Sequence, residues 1–173
     1  MSKASDLAKL IGVPGHIIQI KYFQLTTNQT ETISSANADQ AISNFTVNIT
    51  PTSTSSIIKL EAQVLLESSN SPHDTVFFFF RDSTKLANTE TAGSRRIGIV
   101  VPTVSFHNET SSTAEMAHLG YFDAPSSTSA IAYKLGVNTN ATNDLLINRT
   151  KDDFDNGSHE RGVSWISATE ISQ

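Results

Sequence analysis

Strict alternation of apolar and polar residues over residues 57–67 is the feature that most constrains the fold of this chain. Ile58, Leu60, Ala62, Val64 and Leu66 alternate with a second set that contains Lys59, Glu61, Gln63 and Glu67. A period of two places one set on each side of an extended strand. Residues 45–50 and 131–138 repeat the pattern. The alternation therefore predicts antiparallel sheets with one packed face and one face that is solvated or lightly covered.

Short β-like segments separated by turn residues continue along the rest of the chain. We predict strands over residues 16–25, 42–50, 57–67, 75–81, 96–106, 114–123, 130–138, 145–148 and 162–171. No helix-length segment separates them, which argues against a parallel βαβ fold. About nine short strands with turns between them are typical of an all-β, antiparallel two-sheet sandwich, and we expect it to be jelly-roll-like.

The first residues show a different, helical pattern. Leu7, Leu10 and Ile11 fall on one face at i, i+3, i+4 spacing, and residues 12–15 (GVPG) end the segment. A helix this short is not stable alone, so it must dock on its own domain, a sister subunit or another protein. We therefore predict a short N-terminal helical arm, residues 1–14, whose three apolar side chains attach to a partner. Residues 15–173 form the sandwich domain.

One strand is apolar on both faces, because four phenylalanines follow one another at residues 77–80. In an open sandwich one of these faces would meet water, and exposed apolar patches of that size are rare in monomers. We expect a neighbouring subunit to cover that strand, with Phe77 and Phe79 in the subunit interface. The alternative is a central strand that a long loop of the same chain covers.

Charge and cysteine content exclude several classes of function. Twelve Lys and Arg against seventeen Asp and Glu give a net charge of −5 and a pI near 5.4, so no basic field is available for nucleic acid. The chain has no cysteine, which excludes a disulfide framework, a thiolate zinc site and a cysteine nucleophile. Charged residues interrupt any secretory signal, and the longest apolar run is too short to span a membrane. We expect neither export by a cleaved signal nor membrane insertion.

No motif in the sequence indicates a catalytic centre, a cofactor site or a metal site, so we predict a protein that is not an enzyme. The acidic turn at residues 152–160 departs from a calcium loop, because Gly157 takes the fifth position when Asp153 and Asp155 take the first and third. An irregular calcium site near residues 152–155 stays open.

Single residues with chemical potential have structural interpretations in this sequence. Trp165 could stack on a sugar with Tyr121 and Tyr133, but its apolar strand favours the core. His118 is interpreted as a hydrogen-bonded core residue. The basic doublet Arg95-Arg96 is expected to pair with carboxylates or to line a subunit contact.

Several segments, in order, resemble a β-rich domain of tail-fibre and virion structural proteins from marine and cyanobacterial tailed phages. The segments are GHIIQI at residues 15–20, NITPTSTSSII at 48–58, RDST at 81–84, YFDAPSSTSAIAY at 121–133, INR at 147–149, RGVS at 161–164 and EI at 170–171. The resemblance covers residues 15–171 and implies a homotrimeric, jelly-roll-like domain on a phage particle. Only about 14 residues precede the domain, which suits a protein that sits directly on a capsid or tail component.

The sequence therefore predicts a non-enzymatic virion structural protein, either a tail-fibre or receptor-binding tip or a capsid decoration protein. Its location would be the virion, and the host cytoplasm during assembly. The arm would bind other virion proteins, and loops of the sandwich could contact a host cell-surface glycan. The alternatives are a free glycan-binding module, which predicts an exposed aromatic platform, and a host-polysaccharide depolymerase, which predicts a cleft with two carboxylates.

Overall fold

All the regular elements in the described part of the chain are β-strands. The computed structural model describes residues 13–69, 74–87, 90, 93–103 and 111–173. The predicted helical arm with Leu7, Leu10 and Ile11 lies outside these residues. The strands are β1 (Ile17–Leu25), β2 (Gln29–Ile33), β3 (Gln40–Ile49), β4 (Ile57–Ser68), β5 (Val76–Arg81), β6 (Thr84–Leu86), β7 (Glu115–Asp123), β8 (Ile131–Asn138), β9 (Asn143–Ile147) and β10 (Ser164–Ile171).

The strands form two antiparallel sheets, as the alternation predicted. The larger sheet has the order β1-β10-β4-β9-β2, and β7 pairs with β4 as well. The smaller sheet has the order β3-β8-β5-β6. The prediction of an all-β, two-sheet sandwich is confirmed at this level.

The core lies between the two sheets and comes from the alternating positions. Ile58, Leu60, Ala62 and Val64 of β4 are all 0% exposed. Tyr133, Leu135 and Val137 of β8 are equally inaccessible on the opposite layer, so both period-two patterns place their apolar set inward.

A β-bulge in β3 corrects the phase of its apolar residues. Ile42 and Phe45 are three positions apart, so a regular strand would place them on opposite faces. The register between β3 and β8 shifts between Ala41 and Thr46, and Asn44 has a positive φ of 67°. The extra residue turns both side chains inward, and both are at most 1% exposed.

The phenylalanine strand is covered by its own chain, which contradicts the predicted subunit contact. Phe77 and Phe79 are 0% exposed and belong to the core between the sheets. Phe78 points the other way and is also 0% exposed, because Phe80 packs edge-on against it and Lys85 lies 4.0 Å above its ring. Assigning Phe77 and Phe79 to a subunit interface was therefore wrong.

The backbone beside β5 shows why no second copy is needed there. Phe77 exchanges backbone hydrogen bonds with Ile99 and Val100, so these two residues lie along the edge of β5. On the outer face, Gly136 leaves room for the rings of Phe78 and Phe80; a Cβ at this position would lie 2.4 Å from Phe78. The outer face of the phenylalanine strand is therefore covered by residues of the same chain, Phe80 and Lys85 of β6.

The structure differs from the strand predictions at three places. The short strands β2 and β6 had no alternating signal long enough to be predicted. The strand expected over residues 96–106 is not formed at residues 96–103, which make only single bridges at Val100 and Thr103; the rest of that range lies outside the described residues.

Candidate interaction surface

The outer face of the larger sheet carries the most exposed large apolar side chains that lie on strands. Tyr22 and Ile20 of β1 are 72% and 54% exposed, and Phe122 and Met116 of β7 are 65% and 44% exposed. We call this outer surface of β1, β10, β4 and β7 the open face. Its apolar side chains line two opposite margins of the sheet, while Lys59 and Glu61 form an ion pair of 2.9 Å between them.

Trp165 also lies on the open face, and its predicted place in the core was wrong. The neighbours Ile166 and Ala168 are 0% exposed, so the alternation of β10 turns Trp165 outward. It is partly exposed and pairs across the sheet with Gln63. The only tryptophan of the chain is thus on the open face, because Ile166 and Ala168 occupy the inward positions of this strand.

His118 was predicted to be a core residue and is exposed. Met116, His118, Gly120 and Phe122 share one side of β7, and that side faces away from the smaller sheet. The ring of His118 lies edge-on to Trp165 with 6.3 Å between the ring centroids. Ala117 and Leu119 are the buried members of β7, so His118 belongs to the set of residues that faces outward.

The open face ends at an unpaired strand edge. Among the described residues, β1 forms ladder hydrogen bonds with β10 alone. Within that part of the chain its other edge has no ladder partner, and such an edge can template pairing with another chain. Lys21, an exposed charged residue within β1, opposes uncontrolled pairing.

The segments that carried the family resemblance meet in three buried polar clusters. In the first, Tyr133 donates a hydrogen bond of 2.6 Å to Asp123, and the guanidinium of Arg81 donates to both oxygens of the same carboxylate at 3.1 and 3.2 Å. Burial, and then the hydrogen bond and charge of Asp123, raise the pKa of Tyr133 above its usual value. This cluster joins β7 of the larger sheet to β5 and β8 of the smaller one.

The second cluster surrounds Glu170, whose side chain is fully buried. Its carboxylate accepts hydrogen bonds from the amide of Gln19, from the backbone N–H and hydroxyl of Thr52 and from the hydroxyl of Ser56, at 2.6–2.7 Å. Burial raises the pKa of Glu170, but these hydrogen bonds together lower it by more, so the net direction is down. The carboxylate fixes the 50–56 turn to β1 and β10.

The third cluster centres on Asn148, which is 1% exposed and has a φ of 62°. Its amide donates to the carbonyls of Leu25 and Thr27 at 2.8 and 2.9 Å and accepts from the hydroxyl of Ser164 at 2.6 Å. An asparagine tolerates this left-handed conformation better than most residues. The INR and RGVS segments therefore hold the connections around β9 and β10 in place.

These clusters use the notable polar residues for structure. Because the side chains of the three clusters are buried and hydrogen-bonded to one another, few of their donors and acceptors remain for a substrate. In the acidic turn, Asp153 accepts from Arg161 at 2.7 Å. Across the described ranges, no group of three or more His, Asp or Glu side chains is placed to hold a metal ion. The described residues contain no helix that is long and apolar enough to cross a membrane.

Comparisons with known proteins add little to this geometry. No family model and no curated protein sequence matches the chain. Among solved structures, the fold is similar to the crystal structure of the infectious bursal disease virus VP2 subviral particle, with 10% sequence identity and a TM-score of 0.37. The match covers 90% of this chain and 42% of that one. A likeness this slight carries no argument about function.

Proposed function

We propose that the protein is a non-enzymatic structural protein of a phage virion, serving as a tail-fibre or receptor-binding tip or as a capsid decoration protein. The observation that carries the proposal is the open face, where Tyr22, Ile20, Met116 and Phe122 are exposed on the larger sheet. Exposed apolar side chains gathered on one face of a domain mark a surface that another protein covers.

The use of the acidic side chains supports a role other than catalysis. Asp123 and Glu170 are buried acceptors within structural clusters, and Asp153 pairs with Arg161. A polysaccharide-cleaving enzyme needs two carboxylates that face one cleft about 5–10 Å apart. These three carboxylates are each held by different parts of the sandwich.

The partner of the open face is, in this proposal, a second copy of the chain in a homotrimer. The margins at β1 and β7 are both apolar, so one margin of a copy can pack on the other margin of its neighbour, as closed rings require. The central Lys59–Glu61 pair offers both signs of charge to a neighbouring copy. The open edge of β1 is continuous with this surface. Residues 15–173 would form the jelly-roll-like outer domain.

Residues 1–14 would anchor the trimer to the particle. Leu7, Leu10 and Ile11 supply the apolar contacts to other virion proteins in this proposal. Val13, the first described residue, is 46% exposed, and its carbonyl accepts a hydrogen bond from the hydroxyl of Ser172. The protein would be located in the virion, and in the host cytoplasm before assembly.

Light scattering on the purified chain tests the assembly. We expect a particle of three times 18.7 kDa, and a Tyr22→Ser, Phe122→Ser double variant that is monomeric with unchanged secondary structure. Phe154→Ser is the matched control, because Phe154 is 66% exposed but lies in the acidic turn. A monomeric wild-type chain, or a control that dissociates equally, would refute the trimer.

A glycan-binding module is a second candidate, favoured by one observation. Trp165 faces outward in a row with Gln63 and His118, which combines an aromatic ring with amide and imidazole groups. Loss of sugar binding in Trp165→Ala would support this candidate. Release of reducing ends from host polysaccharide by the purified protein would instead support a depolymerase and contradict the main proposal.

A further inference from the structure

The acidic turn contains the only asparagine in the sequence that a glycine follows, Asn156 before Gly157. Both residues are exposed and lie between β9 and β10. A backbone nitrogen can attack the side-chain carbonyl carbon of the asparagine that precedes it, and glycine hinders this attack least because it has no Cβ. The pair is therefore a candidate site of covalent change within the chain itself.

The side-chain oxygen of Asn156 is held by two N–H groups. The backbone N–H of Ser158 donates to Oδ1 at 2.9 Å, and Nδ1 of His159 lies 2.9 Å from the same atom. Since an N–H must face an oxygen, the donation from Ser158 fixes the orientation of the amide. That oxygen can only accept, so Nδ1 of His159 carries a hydrogen and donates it.

These two donors are placed where an attack on Asn156 needs them. When a nitrogen adds to the amide carbon, negative charge develops on Oδ1, and N–H groups that already point at this oxygen stabilise that charge. The hydrogen bond from Ser158 also closes an Asx turn. The nitrogen of Gly157 is a member of the ring that this turn forms, so the side chain and the attacking atom are kept near each other.

The attacking nitrogen is accessible, whereas the imidazole is ordered. Gly157 is exposed, and within the described residues its N–H donates to no backbone carbonyl. The ring of His159 lies edge-on to that of Phe154, with 5.3 Å between the centroids. The turn thus holds the amide of Asn156 in place and leaves the nitrogen of Gly157 open to water and hydroxide.

We propose that Asn156 deamidates without a separate enzyme, and that His159 and the backbone N–H of Ser158 accelerate the step. The nitrogen of Gly157 loses its proton to hydroxide and bonds to Cγ of Asn156. The bond from Cγ to Nδ2 breaks, and Nδ2 takes a proton from water and leaves as ammonia. Water then opens the cyclic imide at either carbonyl, which gives aspartate or isoaspartate. The net reaction consumes one water and releases one ammonia.

The change alters both the charge and the backbone of the acidic turn. A neutral amide becomes a carboxylate next to Asp155, in the turn that also contains the Asp153–Arg161 ion pair. Isoaspartate in addition lengthens the main chain by one carbon. Phe154, which is 66% exposed, lies in the same turn, so this surface changes irreversibly as the protein ages. The inference is independent of the trimer proposed above.

Mass spectrometry of the full chain after storage at pH 8 tests the proposal. Trypsin cuts after Lys151 and Arg161, so residues 152–161 (DDFDNGSHER) form a peptide in which Asn156 is the only asparagine. We expect this peptide to gain the mass difference between a hydroxyl and an amino group, in two products that chromatography separates. Digestion in heavy-oxygen water marks any deamidation that occurs during the digest itself.

A second tryptic peptide is the internal control. Residues 135–149 (LGVNTNATNDLLINR) contain several asparagines, and none of them precedes a glycine. We expect this peptide to keep its mass in the same samples. An unchanged 152–161 peptide, or an equal change in both peptides, would overturn the proposal.

Gly157→Ala tests the attacking nitrogen. The added Cβ would meet nothing within 4 Å, and the φ of Gly157 is outside the left-handed region, so the variant keeps the fold. Its methyl group hinders the approach and should slow deamidation at least about tenfold. Gly120→Ala, on β7, is the matched control and should deamidate as the wild type does. Equal rates in Gly157→Ala and the wild type would refute the mechanism.

His159→Phe separates the effect of the fold from that of the Asn-Gly dipeptide. It keeps a ring beside Phe154 and removes the Nδ1 donor, so the folded variant should deamidate about fivefold more slowly, the factor that one hydrogen bond contributes. In concentrated urea, where the donors are no longer assembled, variant and wild type should react at the same rate. Equal rates in the two folded proteins, or a difference that persists in urea, would overturn the role of His159.

Discussion

Tyr133 of β8 donates its phenol hydrogen to Asp123 of β7 over 2.6 Å, so one buried hydrogen bond joins the two sheets. Both residues come from a single stretch of sequence, residues 121–133, that leaves one sheet and enters the other. Arg81 reaches the same carboxylate from β5. The contact fixes the relative position of the layers at this end of the sandwich.

Tyr133→Phe should lower the free energy of unfolding by about 1.5–3 kcal/mol, because it removes a buried hydrogen bond to a charged acceptor. Urea denaturation at pH 7 measures the loss. Tyr22→Phe is the control, since the hydroxyl of Tyr22 lies on a side chain that is 72% exposed, and it should change stability by less than about 0.5 kcal/mol. Equal losses in the two variants would contradict the role of the contact.

The same tyrosine predicts a dependence on alkaline pH. The pKa of Tyr133 is raised in the folded chain above its ordinary value of 10.0, so its contribution is complete below that pH and is lost as pH rises beyond it. The difference in stability between wild type and Tyr133→Phe should therefore narrow above about pH 10. Urea titrations at pH 8 and pH 11 measure this; a constant difference would argue against it.

Glu170→Gln should destabilise the protein by about 2–3 kcal/mol at pH 7, since several hydrogen bonds to a buried carboxylate lose their charge assistance. The pKa of Glu170 is lowered on folding, so the stability it contributes is present above the unfolded value of 4.5 and is lost as pH falls through the folded value. The gap between wild type and variant should shrink between pH 5 and pH 3. A gap that widens in acid would show that the carboxylate is not stabilising.

Gly136→Ala should cost about 1–3 kcal/mol, because the new Cβ would lie 2.4 Å from Phe78 and 2.8 Å from Phe80. Gly120→Ala on β7 is the matched control, with no atom nearer than 3.7 Å to the added carbon. Thermal unfolding of the two variants compares them directly. If both glycines tolerate alanine equally, the packing of the aromatic rings over Gly136 is not as tight as described.

Removal of residues 1–12 should change the free energy of unfolding by less than about 1 kcal/mol, since the contacts that Val13 and the next residues make with Ser172 are retained. Gly15 donates to the carbonyl of Ser172, and Ser172 donates to that of His16, and all these residues are retained. Circular dichroism measures the folding, and co-purification with particles measures attachment. A truncated chain that fails to fold would assign the first residues to the core.

The strong alternation of β4 and β8 was sufficient to predict both sheets, because burial of one face dominates every other preference there. The Phe77–Phe80 run misled for the same reason, because a strand that is covered on both sides has no period to read. Phe77 and Phe79 are covered by the core between the sheets, and Phe78 is covered by Phe80 and Lys85. Trp165 shows the remaining limit. Its strand was predicted, but its place in the core was inferred from the apolar character of that strand, whereas Ile166 and Ala168 occupy the inward positions.

The three buried polar clusters affect how relatives of this chain can be recognised. Any kinship traced through residues such as Asn148 or Glu170 reports a shared scaffold, since those side chains are spent on holding loops and are hidden from solvent. The surface residues can then change while the buried cluster residues stay the same. Two proteins alike in these motifs would share an architecture while meeting entirely different hosts.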